Sequence, residues 1–330
     1  MRLESHARMH YHTEKELIAL LPEPLSHALD SLLAACDGRA LSQEGRALSL
    51  RYRQAPRQGA PLVGAGALAY AAARMPATYE AVSFALSCLP PIPVRSVIDA
   101  GAGPGTAAWA AAVRWPALES LRLWERDAGM AALGRALGTP GVYETLDLSG
   151  RLPGEADLVI MAYALNEFGP EAAMELIPRL WACARSALVL VDPGTPEAFR
   201  RMLDVRRQLL SLGAHVAAPC PHPSACPLPE GDWCHFARRV PRSRLHREIK
   251  GGERGFEDEK FTFMIFTRTP VPGPCRILRR PEYHKGFVRL ALCTPQGLVH
   301  KTVTRSEKAA YRRARDAAWG EGWPDTPSGL

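Results

Sequence analysis

The chain has 330 residues, 47% hydrophobic and 23% charged, the balance of an ordinary globular protein with a sizeable core. No run of about 18 uncharged apolar residues is present to span a bilayer, and the N-terminal stretch MRLESHARMHYHTEKELIALLPEPL lacks the apolar segment of a secretory signal. These features argue against membrane and export functions and lead us to expect a cytoplasmic protein in a reducing setting, where clustered cysteines more often bind metal or do chemistry than form disulfides.

Residues 12 to 90 carry apolar side chains at three- and four-residue spacing, first in EKELIALLPEPLSHALDSLLAACDG and again in GALAYAAARMPATYEAVSFALSCL. This predicts a helical N-terminal region, 1–92. From Pro93 short β-rich runs (RSVIDA, SLRLWE, GVYETL, DLVIMAYA, SALVLVD) alternate with helix-length stretches, and EKFTFMIFTR at 259–268 reads as a late strand of the same sheet. The alternation predicts an α/β domain over 93–270 with a parallel sheet covered on both faces. A proline- and cysteine-rich insertion, 215–245, is expected near the carboxyl edge of that sheet. Residues 271–330 read as a small basic unit of strands and turns, TPQG being one turn, closed by the helix SEKAAYRRARDAAWG.

The net charge of +7 is concentrated at that end: residues 241–330 hold 18 Lys and Arg against 10 Asp and Glu. Such an end suits a nucleic acid or is merely a solvated face. Lys308, Arg312 and Arg315 fall on one helical face beside Arg313, and Arg276, Arg279, Arg280, Lys285 and Arg289 lie in the strand-rich part. Tyr283 and Tyr311 could stack on bases, whereas Phe287 reads as core. A second basic set, Arg238, Arg239, Arg242 and Arg244, flanks the cysteine loop.

VIDAGAGPGTAAWAA is a buried strand, a glycine loop and a helix start. Glycines there let the backbone turn sharply and approach a ligand, and the helix N-terminus offers unpaired N–H groups. The third glycine comes one position too early for the dinucleotide fingerprint, because Thr106 stands where that pattern needs glycine. Glu125, 20 residues beyond Gly105 at the end of the second strand, is placed to accept ribose hydroxyls; Asp147 is the candidate for an adenine edge. Asn166 and Glu167, in MAYALNEF, read as caps of the following helix.

CPHPSACPLPEGDWCHF places Cys220, Cys226 and Cys234 with five and seven residues between them. Three thiols that close call for a fourth ligand, with His222, His235, Cys275 and Cys293 as candidates. Proline restricts the unfolded loop and lowers the entropy cost of gathering them. The spacing fits neither a zinc ribbon nor a ferredoxin run, and it differs from the three-cysteine loop of radical enzymes. Cys36, Cys88 and Cys183 read as ordinary thiols.

Taken together, YAAARMPATYEAV, VIDAGAGPGTAAWA, VDPGTPEAF, the cysteine block and LALCTPQGLVHKTVTRS…YRRARDAAWGEGW resemble, from about residue 70 to 323, the methyltransferase-like family of the ribosomal small subunit. The resemblance implies a class I methyltransferase fold that binds S-adenosylmethionine through Asp99, Gly101, Gly103, Gly105, Glu125 and Asp147. It also implies binding to small-subunit ribosomal RNA or precursor particles, as a monomer. Further, it implies a [4Fe–4S] cluster on Cys220, Cys226, Cys234 and Cys293, with zinc as the alternative metal. MAYALNEF has neither the Asn/Asp-Pro-Pro-aromatic segment of amino-directed methyltransferases nor the Pro-Cys of cytosine-C5 enzymes. Two functions stay open: an RNA methyltransferase, and a non-catalytic assembly factor with a structural metal site.

Overall fold

From residue 96 onward short strand runs alternate with alanine- and leucine-rich helices, and the runs assemble into one large sheet. The computed structural model describes residues 21–324 except 39, 40, 42, 46, 48–63, 243–246, 248–254 and 272. The first 20 residues, including the start of the expected helical region, and Arg244 lie outside the described residues.

Helices α1 (Glu23–Ala34), which begins after Pro22, and α2 (Gly64–Ser87), which carries Pro76 inside it, are among the described residues that precede the sheet. The sheet is built from β1 (Ser96–Ala100), β2 (Ser120–Glu125), β3 (Val142–Thr145), β4 (Ala156–Ala162) and β5 (Ala184–Pro193). Between them run α3 (Thr106–Arg114), α4 (Ala128–Ala136) and α5 (Pro170–Cys183). After β5 come α6 (Pro196–Ser211), β6 (His215–Ala218), β7 (Phe236–Pro241) and β8 (Phe256–Thr267). The order is β3-β2-β1-β4-β5-β8-β6, with β1 to β5 parallel, β8 antiparallel to both of its neighbours, and β7 paired to β8. This is a class I methyltransferase sheet. It is mixed rather than wholly parallel, because β8 runs back between β5 and β6.

Side chains alternate across the strands with period two. Val97, Leu158, Ile160 and Val189 face α2 and α3, while Ile98, Val159, Leu188 and Leu190 face α5 and α6. Each such fully buried aliphatic stabilises the fold by roughly 1.5–3 kcal/mol. The strand order reverses between β1 and β4, which puts the crevice for a ligand at their carboxyl ends.

The cysteine loop leaves the lateral edge of the sheet at the level of the carboxyl end of β5, whose Leu190, Val191 and Asp192 pair with Met264, Phe263 and Thr262. β6 pairs with β8 at 265–267 and β7 pairs with the same edge of β8 at 256–261. Residues 219–235 leave the sheet between these pairings, beside Thr262, Phe263 and Met264.

A second sheet follows: β9 (Cys275–Ile277), β10 (Glu282–His284), β11 (Phe287–Thr294), β12 (Gly297–Thr304) and β13 (Gly322–Trp323). The turn read at TPQG joins β11 to β12. Helix α7 (Lys308–Asp316) packs Ala314 onto Val288, Leu290, Leu292 and Val303. Among the described residues no helix is long and apolar enough to cross a membrane.

Candidate functional site

At the switch point the glycine loop turns through three left-handed residues, Gly101 (φ +73°), Gly103 (φ +54°) and Gly105 (φ +84°). A Cβ on Gly105 would come within 2.1 Å of Thr139 Cγ2, and one on Gly101 within 2.7 Å of Ala164. At Gly103 it would meet nothing within 4 Å, so here the loop faces open space. Tyr143 donates to the Gly103 carbonyl at 3.2 Å and Thr139 to that of Pro104 at 2.9 Å. These two braces come from α4's end and from β3, and no motif marks them.

Asp99 does not face the crevice. It is buried and accepts the Ala108 N–H of α3 at 3.0 Å, tying the strand to the helix behind the loop. Burial pushes its pKa up to about 7, against the Ala108 bond and with help from the Glu125 charge. Glu125 does line the crevice edge, accepting the Gly103 and Asp127 N–H groups at 2.7 Å each. Its pKa is raised by burial. Asp147 is exposed and closes a turn onto the Ser149 N–H and hydroxyl, bonds that hold its carboxyl below the usual range.

The segment after β4 is strained. Tyr163 (φ +56°) is the one non-glycine residue with positive φ among those described, a genuine outlier for a bulky side chain. Its hydroxyl donates to Glu259 at 2.9 Å, and Glu259 also receives the Arg74 guanidinium at 3.2 Å. Asn166 and Glu167 do not cap α5. Its N-cap is Gly169, followed by Pro170 in the first turn, while Glu167 lies 3.9 Å from Arg126 and the Asn166 Oδ1 is buried without a partner.

Cys220, Cys226 and Cys234 from the loop and Cys293 from β11 line one cavity of about 420 Å³, a volume that includes its open mouth. Phe199, Leu203, Phe263, Met264 and Leu278 make the rest of the wall largely apolar. The four thiols feel one another in every pairing. Burial first, then neighbouring sulfurs, pushes Cys234 well up and Cys293 up to about 12. Without a cation Cys220, Cys234 and Cys293 favour the neutral thiol form. Among the described residues no three His, Cys, Asp or Glu side chains stand in the arrangement that holds a single metal ion.

Of the other fourth-ligand candidates, His222 is buried with Nε2 at 3.5 Å from the Cys293 sulfur. His235 stacks on Trp233 and against Trp319 instead. Cys275 sits in the core of the second sheet with Ile277 and Trp323. The loop is held on both sides: Trp233 Nε1 donates to the Gly194 carbonyl at 3.0 Å, and Asp232 pairs with Arg279.

The basic residues divide sharply. Lys285, Arg289, Lys308, Arg312, Arg313 and Arg315 are exposed. Arg276 is buried, and Arg279 and Arg280 pair with Asp232 and Asp258. Near the cysteine loop Arg238, Arg239 and Arg242 pair with Glu80, Asp258 and Glu257. Phe287 is not core: it lies half-buried on the outer sheet face, stacked on His284 at 4.5 Å.

The human mitochondrial ribosome assembly protein METTL17 is 29% identical over 301 residues, covering 79% of this chain and 63% of its own. The mitochondrial Rsm22-cox11 tandem proteins 1 and 2 of Schizosaccharomyces pombe are each 26% identical over 290 residues, covering 70% of this chain and 38% of theirs. The chain thus spans less than two thirds of each of these relatives. Two solved structures share parts of the fold. Magnesium protoporphyrin IX methyltransferase of Synechocystis PCC 6803, with S-adenosylmethionine bound, has a TM-score of 0.39 at 17% identity, covering 71% of this chain and 98% of that one. A ribosomal protein L11 methylase of Lactobacillus delbrueckii subsp. bulgaricus has a TM-score of 0.37 at 13% identity, covering 58% and 78%.

The cytoplasmic placement expected from the sequence is overturned by these matches, since the three relatives are mitochondrial by name. The lack of a secretory signal argued only against export; it does not separate the cytoplasm from the mitochondrion. A family model described as mitochondrial small ribosomal subunit Rsm22 matches residues 65–324, and over that span, which holds the glycine loop and all four cavity cysteines, the chain belongs to the Rsm22 family.

Proposed function

We propose that this chain is a small-subunit ribosome assembly factor acting as a monomer, with a nucleoside crevice for S-adenosylmethionine, a [4Fe–4S] cluster on Cys220, Cys226, Cys234 and Cys293, and a basic C-terminal unit for ribosomal RNA. Family membership and the relative named as a ribosome assembly protein support the biological setting. The observation that carries the site is the meeting of four thiols from two sheets at one apolar cavity.

The residues present fit both groups. At the crevice, the left-handed loop opens at Gly103, and the Glu125 carboxylate is already oriented by two backbone N–H groups. Glu125 would take the ribose hydroxyls and Asp147, at the neighbouring strand end, the adenine amino group. Asp99 keeps α3 and the loop in place from behind. S-adenosylmethionine supplies an activated methyl group when bound. At the cavity, four thiols in apolar surroundings are the donor set of a cubane cluster.

The segment after β4 favours the non-catalytic form of this reading. The Tyr163 hydroxyl is committed to Glu259, and Glu259 to Arg74, so neither is available to take a proton from an acceptor. Calorimetry with S-adenosylmethionine and transfer of a labelled methyl group to small-subunit RNA test the two halves separately. We expect binding without transfer. Transfer would restore the enzyme reading, and absence of binding would leave the crevice a relic.

A further inference from the structure

Among the described residues, the two most deeply buried arginines lie close to Cys220 of the thiol cavity, and neither has a carboxylate partner. Arg206, from α6, is 3% exposed and donates to the His222 and Ser224 carbonyls at 2.9 and 2.6 Å, while its Nε finds no acceptor. Arg276, from β9, is 4% exposed and donates to the Pro219 carbonyl at 3.4 Å, the Gly320 carbonyl at 2.9 Å and the Cys88 sulfur at 3.5 Å. Two of these partners, Pro219 and His222, bracket Cys220 in the chain. The less buried Arg74, Arg122, Arg201 and Arg242 each face Glu or Asp. Carbonyl oxygens satisfy hydrogen bonds but carry no net charge, and a buried cation with no anion beside it is strongly unfavourable. The cavity can supply the negative charge, because Cys220 feels both guanidinium groups.

We infer that Arg206 and Arg276 are the counter-charges of the group held by the four thiols, and that this cavity takes a tetrathiolate centre carrying two negative charges. The inference rests on the metal-site reading above. Four thiolates around a doubly positive cubane leave two negative charges, which the two guanidinium groups cancel. Three thiolates and a neutral histidine would leave one, with a buried positive charge uncompensated. His222 is then a hydrogen-bond donor to the Cys293 sulfur and not a ligand. Both arginines are positioning residues: they hold loop carbonyls and set the charge around the centre.

The test uses the full chain reconstituted anaerobically with ferrous iron and sulfide, its reduction followed by electron paramagnetic resonance. Reduction adds a negative charge, so removing a nearby cation makes it harder. Arg206→Met and Arg276→Met should each keep the iron and sulfide content but disfavour reduction at least tenfold, about 59 mV for one electron. Arg206→Lys should restore the wild-type potential. Met variants with cluster loaded and reduction within twofold of wild type overturn the inference. Should the Met variants fail to fold, the ligand set decides: His222→Ala should keep the cluster and Cys293→Ala lose it, and the reverse result overturns the charge assignment. If the wild type loads zinc instead, the same Met variants are read as metal affinity, expected to fall at least tenfold; unchanged affinity overturns the inference. A wild type that takes up neither iron nor zinc removes the metal-site reading itself.

Discussion

Gly103 and Gly105 share a left-handed backbone but differ in their surroundings. Gly105→Ala drives a methyl group into Thr139, whereas Gly103→Ala meets open space and carries only the backbone cost of about 1–2 kcal/mol. Denaturant melts should show Gly105→Ala as the more destabilised, and Gly103→Val should fold yet lose S-adenosylmethionine binding by calorimetry. Asp99 makes a pH test. Its pKa of about 7 lies above the ordinary 3.8, so the protonated carboxyl stabilises the fold; that contribution is complete below pH 3.8 and is lost as pH rises to 7. Asp192, raised to about 6 by burial, acts in the same direction. Asp99→Asn keeps an acceptor for Ala108 and removes the titration, so it should reduce the fall in stability between pH 5 and 8 by a few kcal/mol at most. An unchanged fall would mean that Asp99 ionises freely in the fold. In the sequence, glycine spacing made the loop legible, but nothing there distinguished Asp99, a strut, from Glu125, which faces the crevice.

At the scale of elements, α7 offers its cations to solvent while Ala314 alone is buried, so changes on its outer face should spare the fold. Reversing Lys308, Arg312 and Arg315 to Glu should weaken binding to small-subunit RNA and flatten the salt dependence by roughly one unit per lost phosphate contact. Wild-type affinity and slope in the folded variant would move the RNA surface elsewhere. The paired arginines beside the cysteine loop are a poor substitute, since Arg238, Arg239 and Arg242 already face carboxylates. The strands β1 to β5 were legible because each is a short apolar-rich run between turn residues or helix-length stretches. β6 and β7 were not, since four and six residues beside a proline-rich loop carry no period of their own. The direction of β8 was equally hidden: a strand buried on both faces reads the same whichever way it runs.

Across the whole molecule, the C-terminal unit is joined to the methyltransferase-type sheet by several contacts besides the cysteine loop. Gly320 approaches Phe84 and Phe236 so closely that a Cβ would come within 2.8 Å of either ring, and Arg276 binds carbonyls on both sides. Cys293, on β11, adds the fourth wall of the thiol cavity from that unit. Sequence spacing could gather three cysteines but could not choose the fourth partner, because the pairing of residues about 60 apart is decided by how two sheets dock. We propose that those four sulfurs hold one group. The most direct measurement is iron and acid-labile sulfide per chain in anaerobically purified wild type and Cys293→Ala. We expect about four of each in the wild type and their loss in the variant; a wild type without sulfide, or a variant that keeps its full complement, would contradict a cluster held by the four cysteines.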